Sequence, residues 1–593
     1  MFEILLRPAI LAPAVMLLAY LVYQNFIKPS GLPDLPILNA KEGDWFPLWQ
    51  ATWRNTRDFK AATLLACEKY RDQACIVPLA GSGNMILLPA SQTQFVIDQP
   101  YSVLSMHDKT IETLQTDYTV MEPSLIRNPL HNKIIVTTLT SQIGNLVPAL
   151  AEETAWGLEQ YWGTDTKEYR EVCVYDTMRR IIGIVTNRIF VGLPTSRDPA
   201  LLDAGMAYAQ DVPVSSELLR LFPKPIRPLL SLALTIPNRI HTNAFVKTLR
   251  PLIEQRLKKY DERQADPDKK ALKPEPNDFL QWSIKQAKES GNPSLWNPKT
   301  LAGRVLLLNF ASIHTSSFAI TGAILDLVSS KKEYIDELRE EISSVLAEHG
   351  RQWNKRALAK MEKLDSAMRE SQRVNSFVTV GLGRLVVAEK GLTTPDGVHI
   401  RKGLVTYVPG YAVHQDPKIY LEPEKYKPFR FSEKRADEDT EYVKRARQQW
   451  ATTSNDYLAF GHGRDACPGR FFATAELKLM LAHLVMHYDF EMQETRPRNT
   501  WFARNRVPPM KATVKIRRRE KEARLVQNRN PLVSGCVLFR DRNGRGPVDD
   551  EFLGAGAVAG WLPPARRLDA PLDVLHGEHV DVIVVVADGF LYC

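Results

Sequence analysis

The sequence predicts a mainly α-helical domain with small β-sheets, carried behind one N-terminal transmembrane helix, and three observations lead there. Residues 8–27 are twenty positions without a charge. Asn297 and Pro298 open a second apolar run that continues to about Val328. Between Gly383 and Val408, residues alternate like short strands around a Thr-Pro-Asp-Gly turn at 394–397. With 593 residues, 44% hydrophobic and 24% charged, the chain can bury a large core.

Each element follows in order. At about 1.5 Å per residue, the first apolar run covers about 30 Å, the thickness of a bilayer core. A cleaved signal peptide is the competing reading, but its apolar region is shorter, and no small-x-small cleavage site precedes the prolines. Residues 1–27 are therefore expected to form the anchor. Residues 28–36, with Pro29, Pro33 and Pro36, form a stiff hinge. Residues 37–519 read as one helical body. Within it, residues 218–240 are apolar with prolines and scattered cations, a pattern that suits either core packing or a membrane-dipping lid. Asn297 reads as an N-cap and Pro298 as the first position of a helix long enough to cross the domain. Residues 331–349 form a charged amphipathic surface helix. Residues 520–593 turn rich in Gly, Ala and Pro and are expected to be a disordered or loosely packed tail.

The net charge of +9 fits a solvated basic surface, or a face for an acidic partner or anionic membrane. Lys and Arg are spread along the chain and no nucleic-acid module is visible, so nucleic acid is not an expected partner. The six cysteines, Cys67, Cys75, Cys173, Cys467, Cys536 and Cys593, form no C-x-x-C pair. That argues against a disulfide framework or a zinc ribbon and fits a reducing compartment.

Cys467 stands apart, in the loop FGHGRDACPG at residues 460–469. Glycine flexibility around it and a helix start behind it would favour a thiolate, through the turn's N–H groups and the positive helix end. A structural cysteine predicts no such loop. Three roles stand: nucleophile, zinc ligand or haem ligand. Nucleophilic catalysis would want His462 and a third partner. Zinc would have only His462 and Asp465 nearby. Haem iron would need one thiolate and an apolar wall, which Phe460 and Phe471 are placed to provide.

This loop resembles that of cytochromes P450, F-x-x-G-x-[RH]-x-C-x-G, with Phe460, Gly463, Cys467 and Gly469 in place. Asp465 departs from the family's Arg or His, which holds a haem propionate; Arg464 and Arg384 are the candidates to compensate. Glu370-Ser-Gln-Arg373 and the later segment Tyr426-Lys-Pro-Phe-Arg430-Phe are similar to two further family motifs. The resemblance spans roughly residues 32–519. It implies the cytochrome P450 fold, haem b ligated by Cys467, and a buried Glu370, Arg373 and Arg430 cluster beneath the haem. In the long helix, Ala311-Ser-Ile-His-Thr315 aligns with the family's [AG]-G-x-[DE]-T, where a local helix break opens an oxygen pocket. Thr315 carries over as the hydroxyl that passes protons, with Ser312 and His314 as its altered neighbours and His314 as a relay titrating near neutrality. By itself, back-bonding of these hydroxyls to the helix is the competing reading.

The implied activity is a monooxygenase that uses O2 and electrons from a membrane NADPH–cytochrome P450 reductase, since no Rossmann fingerprint appears in this chain. The implied substrate is a lipophilic natural-product intermediate, terpenoid or meroterpenoid first, as in filamentous-fungal secondary metabolism. The implied location is the endoplasmic reticulum membrane, with the body facing the cytosol. Two rivals remain: a haem-thiolate isomerase or dehydratase that needs no O2, and a non-catalytic haem-binding protein.

Overall fold

The computed structural model describes residues 31–266, 274–439, 441–502 and 504–520, with Ala12, Val15, Met16 and Ala19. The rest of the expected anchor, the first hinge residues, 28–30, and the tail beyond residue 520 lie outside the described residues. The described residues from 31 to 519 group into one compact unit.

The principal helices of this unit are α1 (Pro47–Arg57), α2 (Thr140–Trp162), α3 (Val174–Phe190), α4 (Pro199–Arg220), α5 (Arg227–Leu234), α6 (Ile236–Ala265), α7 (Pro298–Val328), α8 (Lys332–Glu348), α9 (Glu362–Val374) and α10 (Arg470–His487). Helix α7 is the axis of the fold. It starts where the sequence places it: the Asn297 side chain accepts from the Lys299 N–H at 2.9 Å, and Pro298 occupies the first turn, where no N–H is needed. Apolar around its circumference, it is buried along nearly its whole length and packs against α3, α4, α6, α9 and α10. Asn187 of α3 and Asn309 of α7 exchange two side-chain bonds, at 2.7 and 3.1 Å, which lock those helices at one depth. Helix α8 buries Ile335, Leu338, Ile342 and Val345, a 3-4-3 spacing that leaves its charges on the other face.

Small sheets flank this helical mass. Their strands are β1 (Cys75–Leu79), β2 (Gly83–Leu87), β3 (Leu104–Ser105), β4 (Arg170–Cys173), β5 (Gly381–Val386), β6 (Leu392–Thr393), β7 (His399–Ile400), β8 (Val405–Val408), β9 (Tyr488–Phe490), β10 (Thr500–Phe502), β11 (Asn505–Val507) and β12 (Thr513–Arg518). The largest sheet runs β1-β2-β8-β5-β3, with β5 antiparallel to β8. The alternating stretch thus folds as expected: β5 and β8 enclose the β6–β7 hairpin around Gly397, whose φ of +85° the Asp-Gly turn requires.

The lid segment resolves as the end of α4, all of α5 and the start of α6. It is not core. Leu229 is 71% exposed, and Leu221, Leu232, Ile236 and Ile240 are exposed as well.

Candidate active site

The cysteine loop is shaped by backbone constraints. Gly463 has φ +74°, and a Cβ there would lie 2.9 Å from the Ile97 side chain. Only glycine meets both conditions. The Cys467 N–H donates to the Phe460 carbonyl at 2.8 Å, and the Arg470 guanidinium donates to the Cys467 carbonyl at 2.8 Å. The loop then enters α10 through Gly469.

Burial dominates the thiol. The N–H groups of Gly469 and Arg470 and the Arg470 charge favour the anion, as the loop's form predicts, but desolvation outweighs them and pushes Cys467 up to about 11. The thiolate that the loop's form predicts would therefore need a metal cation on the sulfur to hold its charge.

Cys467 lines a mostly apolar cavity together with Phe460, Gly469, Phe472 and the α7 residues Ala311, Ser312 and Thr315. The expected aromatic wall is Phe460 and Phe472; Phe471, one residue earlier on α10, points outward and is 42% exposed. Among the described residues, no three His, Cys, Asp or Glu side chains gather as a metal site, which counts against zinc. One buried sulfur at an apolar cavity fits haem, whose porphyrin needs space and whose iron needs one protein thiolate.

The α7 residues divide. Thr315 and Ser312 line the cavity. The Thr315 hydroxyl donates to the Ala311 carbonyl at 2.8 Å and approaches the Ser312 carbonyl at 3.1 Å, and the Ser312 hydroxyl donates to Leu308 at 2.7 Å. The hydroxyls are thus held by back-bonding, and α7 runs unbroken where a local break was expected. His314 departs further from expectation. Off the cavity, its Nδ1 is 2.8 Å from the Tyr175 hydroxyl, and burial pulls its pKa down to about 4. A neutral imidazole buried there does not titrate near neutrality, so it is not the relay the sequence suggested.

Asp465 is explained by its partners. Its carboxylate lies 2.7 Å from Arg384 and accepts from the Tyr101 hydroxyl at 2.6 Å. Arg384, on β5, is buried and committed to Asp465, so it neutralises this carboxylate. Arg464 is exposed and stacks on the Tyr101 ring at 4.1 Å, and it faces a second hollow that Gly463 and Asp465 also line.

The Glu370 cluster assembles as expected. Arg373 forks onto Glu370 with two bonds of 2.8 Å, and Arg430 adds one of 2.9 Å. The remaining donors are satisfied by the carbonyls of His414, Pro423 and Leu421. None of the three lines the cavity. Their position is one step behind it: α9 also carries Gln372, which lines the cavity and accepts from Trp450 Nε1 and the Tyr457 hydroxyl. The cluster thus stands behind the cavity wall, with Glu370 and Arg373 on the helix that carries Gln372.

Sequence reasoning missed Gln372, Trp450 and Glu476. The first two carry no local signal. Glu476 had one, a single acid inside the apolar run that follows the cysteine.

The comparisons agree with this geometry. A family model for cytochrome P450 matches residues 101–514. Cytochrome P450 monooxygenase 71 of Postia placenta is 35% identical over 430 residues, covering 72% of this chain and 82% of that protein. Cytochrome P450 monooxygenase pbrC of Penicillium brasilianum is 28% identical over 522 residues, covering 86% and 96%. Cytochrome P450 monooxygenase astC of Aspergillus terreus is 29% identical over 523 residues, covering 86% and 97%. An apolar cavity at one buried cysteine, found within a chain so matched, leads to one conclusion: the chain belongs to the cytochrome P450 family of haem-thiolate monooxygenases, with haem b as its cofactor.

Proposed function

We propose that this monooxygenase hydroxylates a lipophilic natural-product intermediate, terpenoid or meroterpenoid in class, that reaches it from the membrane. The observation that carries the reading is the single cavity lined by Cys467 from one side chain set and by Ser312 and Thr315 from another. Its walls are otherwise mostly apolar, including Ile135, Leu139, Leu308 and Phe377, which suits a ligand with few polar groups.

When bound, haem b supplies the iron at which dioxygen is split and one oxygen atom is inserted into a carbon–hydrogen bond. Cys467 would hold that iron. Phe460 and Phe472, at the cavity wall, would bound the group with apolar surface and keep water out. Thr315 offers its hydroxyl to the cavity and passes a proton there, with Ser312 beside it. Gly469 keeps backbone close to the sulfur, Gly463 seats the loop against Ile97, and the Glu370, Arg373 and Arg430 cluster fixes the wall behind. Arg384, Asp465 and Tyr101 pin β5 to the cysteine loop.

The anchor at residues 1–27, the hinge at 28–36, the catalytic body at 37–519 and the tail at 520–593 complete the proposed organisation. The exposed apolar side chains of α5 and the start of α6, with Trp45, Trp49 and Trp53 near the hinge, support a body lying against a membrane. The endoplasmic reticulum, with NADPH–cytochrome P450 reductase as electron donor, is the location that fits.

The test uses the full chain with reductase, NADPH and isotopically labelled O2, offered a panel of terpenoid and meroterpenoid substrates. The expected product carries one labelled oxygen atom. Label-free rearranged product would instead favour an isomerase. In the same preparation, the reduced, carbon-monoxide-bound spectrum should show a red-shifted thiolate Soret band that Cys467→Ala abolishes; absence of that band in the wild type would end the reading.

A further inference from the structure

We propose that Tyr175 and His314 form an electron-donating pair that quenches oxidising power left at the haem when no substrate is bound, and so protects the protein and its cofactor. Within the 311–315 stretch, Ser312 and Thr315 line the cavity and His314 does not. It turns to α3 instead, where its Nδ1 lies 2.8 Å from the Tyr175 hydroxyl. Both side chains are buried, Tyr175 at 6% exposure and His314 at 2%. Among the described residues, this nitrogen is the hydroxyl's one hydrogen-bond partner. A buried O–H is costly unless it donates, so Nδ1 accepts and the neutral imidazole carries its own proton on Nε2. Burial, joined by the Arg179 charge, pulls the imidazole down to about 4, and burial pushes the phenol well above its ordinary range. At rest the proton therefore stays on tyrosine.

The pair stands directly behind the cavity wall. His314 precedes the cavity residue Thr315, and the Tyr175 ring stacks on Phe318 with centroids 5.6 Å apart. Phe318 in turn meets Phe377, another cavity residue, edge-on at 6.0 Å. Two further oxidisable rings lie close: Trp450 at the wall and Tyr457 behind it, and both donate to the Gln372 amide oxygen. An amide takes up no proton at neutral pH. An oxidised ring that keeps its proton is a stronger oxidant than a neutral tyrosyl radical, so an electron vacancy settles where a base is waiting, and imidazole is that base. Tyr175 has one.

The step balances as a coupled transfer. Tyr175 gives one electron to the oxidised cofactor, its O–H breaks, and the proton moves to His314 Nδ1, leaving a neutral tyrosyl radical beside an imidazolium. One electron from the reductase then reduces the phenoxyl oxygen, Nδ1 returns the proton, and the O–H re-forms. Two such passes deliver two electrons, which with two protons from solvent release the unused oxygen atom as water. No other oxidant or reductant enters.

The experiment uses the haem-loaded full chain without substrate, so its outcome is independent of the substrate class proposed above. Wild type with its thiolate Soret band verified is mixed with peracetic acid, frozen within milliseconds and read by electron paramagnetic resonance. A tyrosyl radical is expected, its signal narrowed when the protein carries ring-deuterated tyrosine. Tyr175→Phe should lose it. His314→Gln keeps a hydrogen-bonding side chain but removes the base, so the radical yield should fall by about tenfold or more. With reductase, NADPH and air, both variants should bleach their Soret band in fewer turnovers than wild type. A wild type that shows a tryptophanyl signal or none, a tyrosyl signal that survives Tyr175→Phe, or equal bleaching in variants and wild type overturns the proposal. If Tyr175→Phe fails to hold haem, His314→Gln decides: an unchanged tyrosyl yield overturns it as well.

Discussion

Thr315 and Arg373 show how differently two side chains of one site fail. The Thr315 hydroxyl sits at the cavity wall and is held by carbonyls of its own helix, so its removal costs the fold little. Thr315→Ala should keep the thiolate Soret band while lowering product formed per NADPH by about tenfold or more, as the loss of a positioned proton-transfer group does. Coupling measured against hydrogen peroxide release checks this, and unchanged coupling would remove Thr315 from the relay. Arg373 is the reverse case. It is fully buried, and its removal strands the Glu370 carboxylate with Arg430 as its remaining guanidinium partner. Breaking a buried pair of this kind costs about 3 to 5 kcal/mol. Arg373→Ala should therefore lower thermal stability and fail to retain haem, and a stable haem-loaded variant would contradict the cluster's positioning role. Asp465 could not be understood at this scale from sequence. Its sign looked wrong for a carboxylate site until β5 brought Arg384 to 2.7 Å, a pairing between residues 81 positions apart.

Helices α7 and α10 were legible because their signals are local. A cap, a first-turn proline and an unbroken apolar run define α7 to the residue, and the glycine-rich loop with its cysteine defines the entry to α10. What the sequence hid is rotation and long-range contact. Five residues, 311–315, read as one functional unit, yet helical geometry turns Ser312 and Thr315 to the cavity and His314 away from it. Likewise Phe472 rather than Phe471 faces inward, a one-position ambiguity that the aromatic pair could not resolve. The lid was ambiguous for a thermodynamic reason: apolar residues mark a core or a membrane face equally well. In the described structure, Leu229 and Leu232 of α5 are 71% and 56% exposed. Reconstituted into phospholipid vesicles, the full chain should show α5 backbone amides slowed in hydrogen exchange relative to detergent-free solution. Replacing both leucines in Leu229→Glu/Leu232→Glu should abolish that protection, since each leucine lost from the lipid forfeits about 1.5 to 3 kcal/mol. Equal exchange with and without vesicles would return α5 to an ordinary surface helix.

Across the whole molecule, buried ionisable groups set how stability depends on pH. His131 and His314 are held near 4 and His414 near 3, each mainly by desolvation, and His483 lies well below its ordinary value. In the unfolded chain each would titrate near about 6.5. Between that value and about 4 the unfolded state binds more protons than the folded one, so stability falls as pH falls, by about 1.4 kcal/mol per pH unit for each histidine. Glu476 works in the opposite direction. Its folded value of about 8 lies above the ordinary carboxylate range, so its contribution is complete in acid and is lost as pH rises toward 8. Asp211, Asp326 and Glu341 are raised as well, but Asp44, Asp165, Glu348, Asp396 and Glu422 are held low and add to the histidines, so the acid limb dominates below neutrality. Thermal unfolding of the haem-loaded chain should show a midpoint that drops steeply from pH 6.5 to pH 4.5. His314→Gln removes one titrating group while keeping a polar side chain for the Tyr175 hydroxyl to bond. Its acid limb should be shallower than the wild type's, with little change at pH 7.5. Identical limbs would mean that His314 is protonated in the folded protein, which would require water or an acid to reach a site where the structure leaves it 2% exposed.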